Sequence, residues 1–269
     1  MLVRVPFDVD SKGFCIRGIL HIPDITTFIK KVVVVCYGFN GNRVEEHRMM
    51  IKLGELLEKN GIIMVRLDYQ GQGLSSGQMY DVSFDGRVES VLSVINYVKG
   101  CFNGNKTIDY YIIGFSDGAR VATRVCHKEI IKAIILWNPI FSMKSSPYMA
   151  SQKSKSDENG TMINMHTKKL NYQLYGIPIS PKYLSSITKS SDYESYLDIK
   201  PSCKKLCIWG SDDRYTKDIR EKLCKIKNVQ SYVIRGAQHL FNNKEYEMKV
   251  LQITLKYLLG DKSDKSTNF

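Results

Sequence analysis

The segment Gly114-Phe115-Ser116-Asp117-Gly118 sets a serine between two glycines, after the apolar run Tyr110 to Ile113 and before a stretch of helical character. A serine on so sharp a strand-to-helix turn lifts its hydroxyl above a sheet, where it can act as a nucleophile. The flanking glycines let the backbone fold back without a Cβ clash. A hydroxyl is a poor nucleophile at neutral pH, so the chemistry needs a base, usually a histidine held in one tautomer by a carboxylate.

The chain has five histidines. His21 falls on an early strand, His47 and His127 on predicted helices, and His166 in a polar insertion. His239 alone falls in a loop between the last strand and the last helix, which makes it the candidate base. Asp212 and Asp213 follow the strand that ends at Trp209-Gly210. Loops at the C-terminal ends of strands are where an open α/β sheet carries its site. Asp213 is the preferred acid, because that acid usually stands three residues beyond such a glycine; Asp212 is then a solvated carboxylate or a helix cap. Acyl transfer also needs donors for a developing oxyanion. The candidates are the backbone amides of Asp117 and of Phe39, the latter within Tyr37-Gly38-Phe39-Asn40-Gly41.

These residues need a scaffold, and the hydrophobic pattern supplies one. Strands are predicted over 14–22, 31–37, 62–67, 110–114, 131–137, 205–210 and 229–234. Helices are predicted over 45–59, 88–98, 116–127 and 245–259. Short apolar, β-branched runs such as Val32-Val33-Val34-Val35 fit strands covered on both faces. Their alternation with helices predicts an α/β fold with a mostly parallel, doubly wound sheet. From Phe141 to Lys200 no strong buried strand is evident, and the length exceeds that of a simple loop. Residues 141–200 are therefore expected to form an inserted cap on a core made of 1–140 and 201–259, with 260–269 a disordered polar tail.

The formal net charge of +12 invites a nucleic-acid reading. The lysines are interleaved with acids, as in Lys217-Asp218-Ile219-Arg220-Glu221-Lys222, and form no basic stripe, so nucleic acid is not an expected partner. Seven cysteines without ligand-like spacing suggest a reducing compartment. No apolar run reaches spanning length, so no membrane association is expected and the assignment is cytoplasmic. Nothing in the motifs calls for a metal or an organic cofactor.

Four motifs in order resemble those of the α/β-hydrolases, over about 14–259 apart from the insertion. Gly38-Phe39-Asn40-Gly41-Asn42-Arg43 is similar to the oxyanion loop of cinnamoyl/feruloyl esterases and serine-aminopeptidase-like hydrolases. Asp68-Tyr69-Gln70-Gly71-Gln72-Gly73-Leu74-Ser75-Ser76-Gly77 resembles their structural glycine turn, in which the aspartate bonds backbone amides. The resemblance implies an α/β-hydrolase fold with Ser116 as nucleophile, Asp213 as orienting acid, His239 as base, and Phe39 with Asp117 as oxyanion donors. Two positions depart from it. Tyr37 stands where those families usually have histidine, and its hydroxyl is expected to anchor the loop instead. Asp117 follows the nucleophile, where Gln, Met or Leu is common. It is expected to point outward and pair with Arg120 or a lysine; the alternative is a grip on a substrate ammonium, as some α-amino-ester hydrolases resembling this chain use it.

The leading expectation is a serine carboxylesterase acting on a small-molecule ester with a small or aromatic acyl group. Thioesterase, aminopeptidase or α-amino-ester hydrolase activity would use the same machinery, and a non-catalytic ligand-binding protein is the reading outside enzymology. Tyr148, Met162, Met165, Tyr172, Tyr175 and Tyr183 are candidate pocket walls in the insertion, with a place in its core as the alternative for each.

Overall fold

The computed structural model describes residues 3–24, 29–39, 41–102, 108–142, 191–260, the positions Tyr183 and Ser186, and the backbone of 161–163, 170–174 and 177–179. The strands in chain order are β1 (Val3–Ser11), β2 (Phe14–Ile22), β3 (Lys31–Cys36), β4 (Ile63–Leu67), β5 (Asp109–Phe115), β6 (Ala133–Trp137), β7 (Thr161–Ile163), β8 (Leu170–Leu174), β9 (Ile177–Ile179), β10 (Lys204–Gly210) and β11 (Val229–Ile234). The helices are α1 (Met49–Glu58), α2 (Phe84–Cys101), α3 (Gly118–Lys128), α4 (Tyr193–Leu197), α5 (Lys217–Leu223) and α6 (Lys244–Leu259).

Eight strands form one sheet in the order β1-β2-β4-β3-β5-β6-β10-β11. Pairing is antiparallel for β1–β2 and β2–β4 and parallel from β4 to β11. The valine run of β3 shows why its pattern is continuous. Val32 and Val34 pack with Val91, Val94 and Val98 of α2 and Val121 and Val125 of α3, whereas Val33 and Val35 pack with Met50, Leu53 and Leu57 of α1 and Val250 and Leu251 of α6. Successive side chains of a strand point to opposite faces, so a strand sandwiched between helix layers is apolar throughout. Strand order turns about β3: β4 lies on one side and β5 on the other. Such a switch opens a crevice at the strands' carboxyl ends.

Outside residues 141–200 the strand and helix sequence agrees with the predicted one, apart from the unpredicted helix α5 and three further differences. β1 is an edge strand that went unread. Helix α1 begins at Met49 and not at Glu45, because Glu45, His47 and Arg48 take left-handed φ values of 58°, 54° and 61°. Helix α2 starts at Phe84, ahead of the predicted Val88, because the Ser83 side chain accepts from the Gly86 amide at 3.0 Å and caps the first turn.

Among the described residues, β7, β8 and β9, which fall within the segment 141–200 expected to form a cap, pair antiparallel in a three-stranded sheet that shares no pairing with the large one. Strand β9 lies against the short 3₁₀ turn Met79–Asp81 ahead of α2. The tail residues 261–269, expected to be disordered, lie outside the described residues. Among the described residues, no helix is long and apolar enough to cross a membrane.

Candidate active site

The carboxyl ends of five parallel strands deliver the predicted site residues and one that was not predicted, Asn138. Ser116 follows β5, the Tyr37–Phe39 loop follows β3, Asn138 follows β6, Asp213 follows β10 and His239 follows β11. Ser116 takes φ +55°, a left-handed value that costs a residue with a Cβ on the order of 1 kcal/mol or more. Its flanks explain why that is sustained. A Cβ on Gly118 would lie 2.2 Å from the Cys36 carbonyl oxygen, and one on Gly114 would lie 2.7 Å from Ala119 Cα. Only glycine permits strand, turn and helix to pack so closely.

Ser116 Oγ lies 2.8 Å from His239 Nε2, and His239 Nδ1 lies 2.7 Å from Asp213 Oδ2. Three segments far apart in sequence thus meet in one hydrogen-bonded line. The carboxylate of Asp213 is buried and held from two further sides: the Tyr215 amide donates to Oδ1 at 2.9 Å and the Thr216 hydroxyl donates to Oδ2 at 2.7 Å. Asp212, the other candidate, is exposed and accepts only from its neighbour Ser211 at 2.6 Å among the described residues. The imidazole of His239 stacks on Phe115 at 5.9 Å and meets the edge of Tyr215 at 5.2 Å. A carboxylate at Nδ1 keeps the proton on that nitrogen, which leaves the Nε2 lone pair to face the serine hydroxyl.

Asn138 was missed as a site residue. It sits at φ +40°, its Oδ1 accepts from the Gly210 amide at 2.8 Å, and its Nδ2 donates to the His239 carbonyl at 2.9 Å and the Gln238 carbonyl at 3.3 Å. One amide side chain therefore ties the ends of β6 and β10 to the histidine loop. Asn138-Pro139 at a strand end was the available signal, since asparagine tolerates the left-handed region better than most residues.

The loop after β3 is anchored as the Tyr37 substitution suggested. The Tyr37 hydroxyl accepts from the Tyr69 amide at 2.8 Å and lies 3.4 Å from Gln72 Oε1, and Gln72 Nε2 donates to the Phe39 carbonyl at 3.2 Å. Burial pushes the Tyr37 phenol well above its usual range, so it stays a neutral hydrogen-bonding group. Asp68 takes its expected part. Its carboxylate accepts from the amides of Arg43 at 3.0 Å and Leu74 at 2.9 Å, and from the Arg43 guanidinium. Among the described residues, no group accepts a hydrogen bond from the amides of Phe39 or Asp117.

The Asp117 side chain corrects an expectation. It pairs with Arg120 at 3.4 Å as anticipated, yet it points inward, is fully buried, and makes its shorter contact of 2.6 Å with Arg87. Arg120 in turn pairs with buried Asp192 at 2.8 Å. Both oxygens of Asp117 are therefore taken by guanidiniums. A buried carboxylate must be paired in this way or give up its charge.

Of the candidate wall residues, Tyr183 is fully buried, stacks on Phe39 with ring centroids 5.6 Å apart, and accepts from Arg87 at 2.8 Å. Burial pushes its phenol up to about 12, so it remains protonated. Met162 lies on β7 and Tyr172 on β8, where the backbone alone is described. Tyr148, Met165 and Tyr175 lie outside the described residues. Among the described residues, no group of three or more His, Cys, Asp or Glu could hold a metal ion.

A family model for serine aminopeptidase, S33, matches residues 28–186. No curated protein matches the chain. Among solved structures, Est1E from Butyrivibrio proteoclasticus with ferulic acid bound matches with a TM-score of 0.71 at 18% identity, over 94% of this chain and 99% of that one. An esterase from Pyrococcus furiosus gives 0.69 at 17% identity, over 96% and 91%. Dienelactone hydrolase from Anabaena variabilis gives 0.64 at 12% identity, over 96% and 98%. At these identities the shared property is the fold.

Proposed function

Because the chain belongs to the serine aminopeptidase S33 family of α/β-hydrolases, we propose that it is a serine hydrolase that cleaves carboxylic esters of small or aromatic acyl groups through an acyl-enzyme on Ser116. The observation that carries this reading is the unbroken contact line from Ser116 Oγ to His239 Nε2 at 2.8 Å and from His239 Nδ1 to Asp213 Oδ2 at 2.7 Å. In this mechanism Ser116 attacks the ester carbonyl while Nε2 of His239 takes the hydroxyl proton. The negative charge that forms on the carbonyl oxygen is received by the amides of Phe39 and Asp117. Collapse breaks the bond to the alcohol, which leaves with the proton that His239 held. Water then attacks the acyl group with the same base, and the acid departs as Ser116 regains its proton. Asp213 holds the imidazole and stabilises its protonated form without itself taking a proton.

The insertion fits a cap whose last part folds over the oxyanion loop, since Tyr183 covers Phe39 and the Ser186 carbonyl accepts from Arg120 at 3.3 Å. A reading as an aminopeptidase is favoured by the family's description. The Asp117 carboxylate, already held by Arg87 and Arg120, is not available to grip a substrate ammonium. The experiment is an ester panel that varies acyl length, aromaticity and free amine content, with Ser116→Ala as control. The ester reading expects p-nitrophenyl butyrate to be turned over, no preference for free amino esters over their N-acyl forms, and loss of turnover in Ser116→Ala. Undiminished turnover in that variant would remove the serine mechanism.

A further inference from the structure

Arg87 enters α2 near its first turn and is fully buried. Its guanidinium reaches two places at once. Nη2 donates to the carbonyls of Tyr37 at 2.9 Å and Gly38 at 3.0 Å, and Nη1 donates to Asp117 Oδ2 at 2.6 Å and the Tyr183 hydroxyl at 2.8 Å. The plane lies over the Tyr69 ring at 4.4 Å. Burial works against its charge, and the Asp117 carboxylate together with the hydrogen bond to the neutral Tyr183 hydroxyl offsets that cost.

The carbonyl of Gly38 and the amide of Phe39 belong to one peptide unit. That unit is planar and trans, so a carbonyl pinned toward Arg87 forces the Phe39 N–H to point the opposite way. The same glycine abuts the serine: a Cβ on Gly38 would lie 3.2 Å from Ser116 Cβ and 3.6 Å from its Oγ. A cation on the carbonyl oxygen also polarises the peptide and makes its N–H a better donor. On the other side, Asp117 carries the second amide, and its carboxylate would repel a nearby oxyanion were it not neutralised. One arginine therefore touches both halves of the proposed oxyanion hole.

Resting on the serine-esterase reading above, we infer that Arg87 is the positioning residue of the oxyanion hole, which clamps the Gly38–Phe39 peptide in its donating orientation and cancels the charge of Asp117. Lysine cannot replace it. A single ammonium lacks the planar fork that serves two carbonyls, a carboxylate and a phenol together.

The test uses Arg87→Lys and, as a variant that removes both buried charges of the pair together, Arg87→Gln with Asp117→Asn. Each is assayed on p-nitrophenyl butyrate, and each is titrated with an alkyl trifluoromethyl ketone, whose hemiketal adduct on serine bears the oxyanion. For either folded variant kcat falls about a hundredfold, the scale of one lost oxyanion donor. KM stays within threefold, and affinity for the ketone falls in parallel with kcat. A residue that merely supports the fold lowers the melting temperature and leaves kcat and ketone affinity of the folded protein at wild-type values; that result overturns the inference. Fluorophosphonate labelling of the wild-type protein separates the two levels. Labelling at Ser116 with unaffected variants sinks the role of Arg87 alone, whereas no labelling of the wild type sinks the esterase reading and this inference with it.

Discussion

Among the described residues, two histidines carry a carboxylate on Nδ1, and they differ in what the other ring nitrogen meets. His239 has Asp213 at 2.7 Å and Ser116 Oγ at 2.8 Å. His21, on β2, has Glu58 of α1 at 3.0 Å, and its Nε2 accepts from Arg66 Nε of β4 at 2.9 Å. Gly54 of α1 closes over the imidazole of His21, where a Cβ would lie 2.4 Å from the ring. His21 thus has its lone pair occupied by a guanidinium and no route to a substrate. His239 lies at the sheet's carboxyl edge with a hydroxyl in the same position. A His–carboxylate pair is therefore not evidence of catalysis; the third partner decides.

Substituting each histidine breaks the comparison most sharply. His239→Ala is expected to lower kcat by about 10⁴-fold or more with little change in melting temperature, since the residue acts as one unit with Ser116. His21→Ala is expected to do the reverse: ester turnover by the folded protein within threefold, and a stability loss of about 3–5 kcal/mol from leaving Glu58 and Arg66 buried without it. Steady-state kinetics and urea melts on both variants check the pair. Asp213→Asn comes next, with kcat reduced on the order of 10⁴-fold because the amide would favour the wrong imidazole tautomer. Asp212→Asn should change kcat by no more than about twofold, the scale of an ordinary surface substitution.

The pH dependence of stability separates His21 from one further ionisable group, Glu45. Burial, and then the charge of Arg66, lower the pKa of His21. The unfolded chain therefore takes up a proton below about pH 6.5 that the folded protein refuses, and stability contributed by this site is lost as pH falls through that window. A His21→Gln variant should show a shallower acid slope. Glu45 has the opposite sign. Burial, and then Glu46, push its carboxyl up to about 7, and among the described residues its Oε1 has no hydrogen-bond partner. The folded state holds a proton that the unfolded chain releases above about pH 4.5, so stability declines as pH rises to about 7. Glu45→Gln should stabilise by about 1–3 kcal/mol at pH 8 and by little at pH 4.5, read from melts at the two pH values.

The same contrast explains what was legible in the sequence. The strands of the parallel sheet announce themselves because both of their faces are buried, as in Val32-Val33-Val34-Val35. β1 did not, because an edge strand buries little: Arg4, Pro6 and Asp8 interrupt its apolar positions, and proline is tolerated there for want of an outer partner. Ser116, Asp213 and His239 could be chosen because each falls at a strand end within a turn of recognisable chemistry. Arg87 could not. It lies in the first turns of an amphipathic helix among ordinary polar residues, and its partners Tyr37, Gly38, Asp117 and Tyr183 are 30 to 96 positions away. The one available hint was Asp117 itself, a carboxylate beside the predicted nucleophile that demanded a cation; Arg120, one turn along the same helix, was the nearer guess and supplies only the longer contact.

Intact-mass measurement of the protein quenched within the first turnovers of a slowly hydrolysed ester tests the serine mechanism most directly. An adduct of the acyl mass on Ser116, absent from Ser116→Ala and long-lived in a variant slowed in deacylation, is the expected result. Full turnover with no adduct, or an adduct that forms unchanged when Ser116 is alanine, would contradict it.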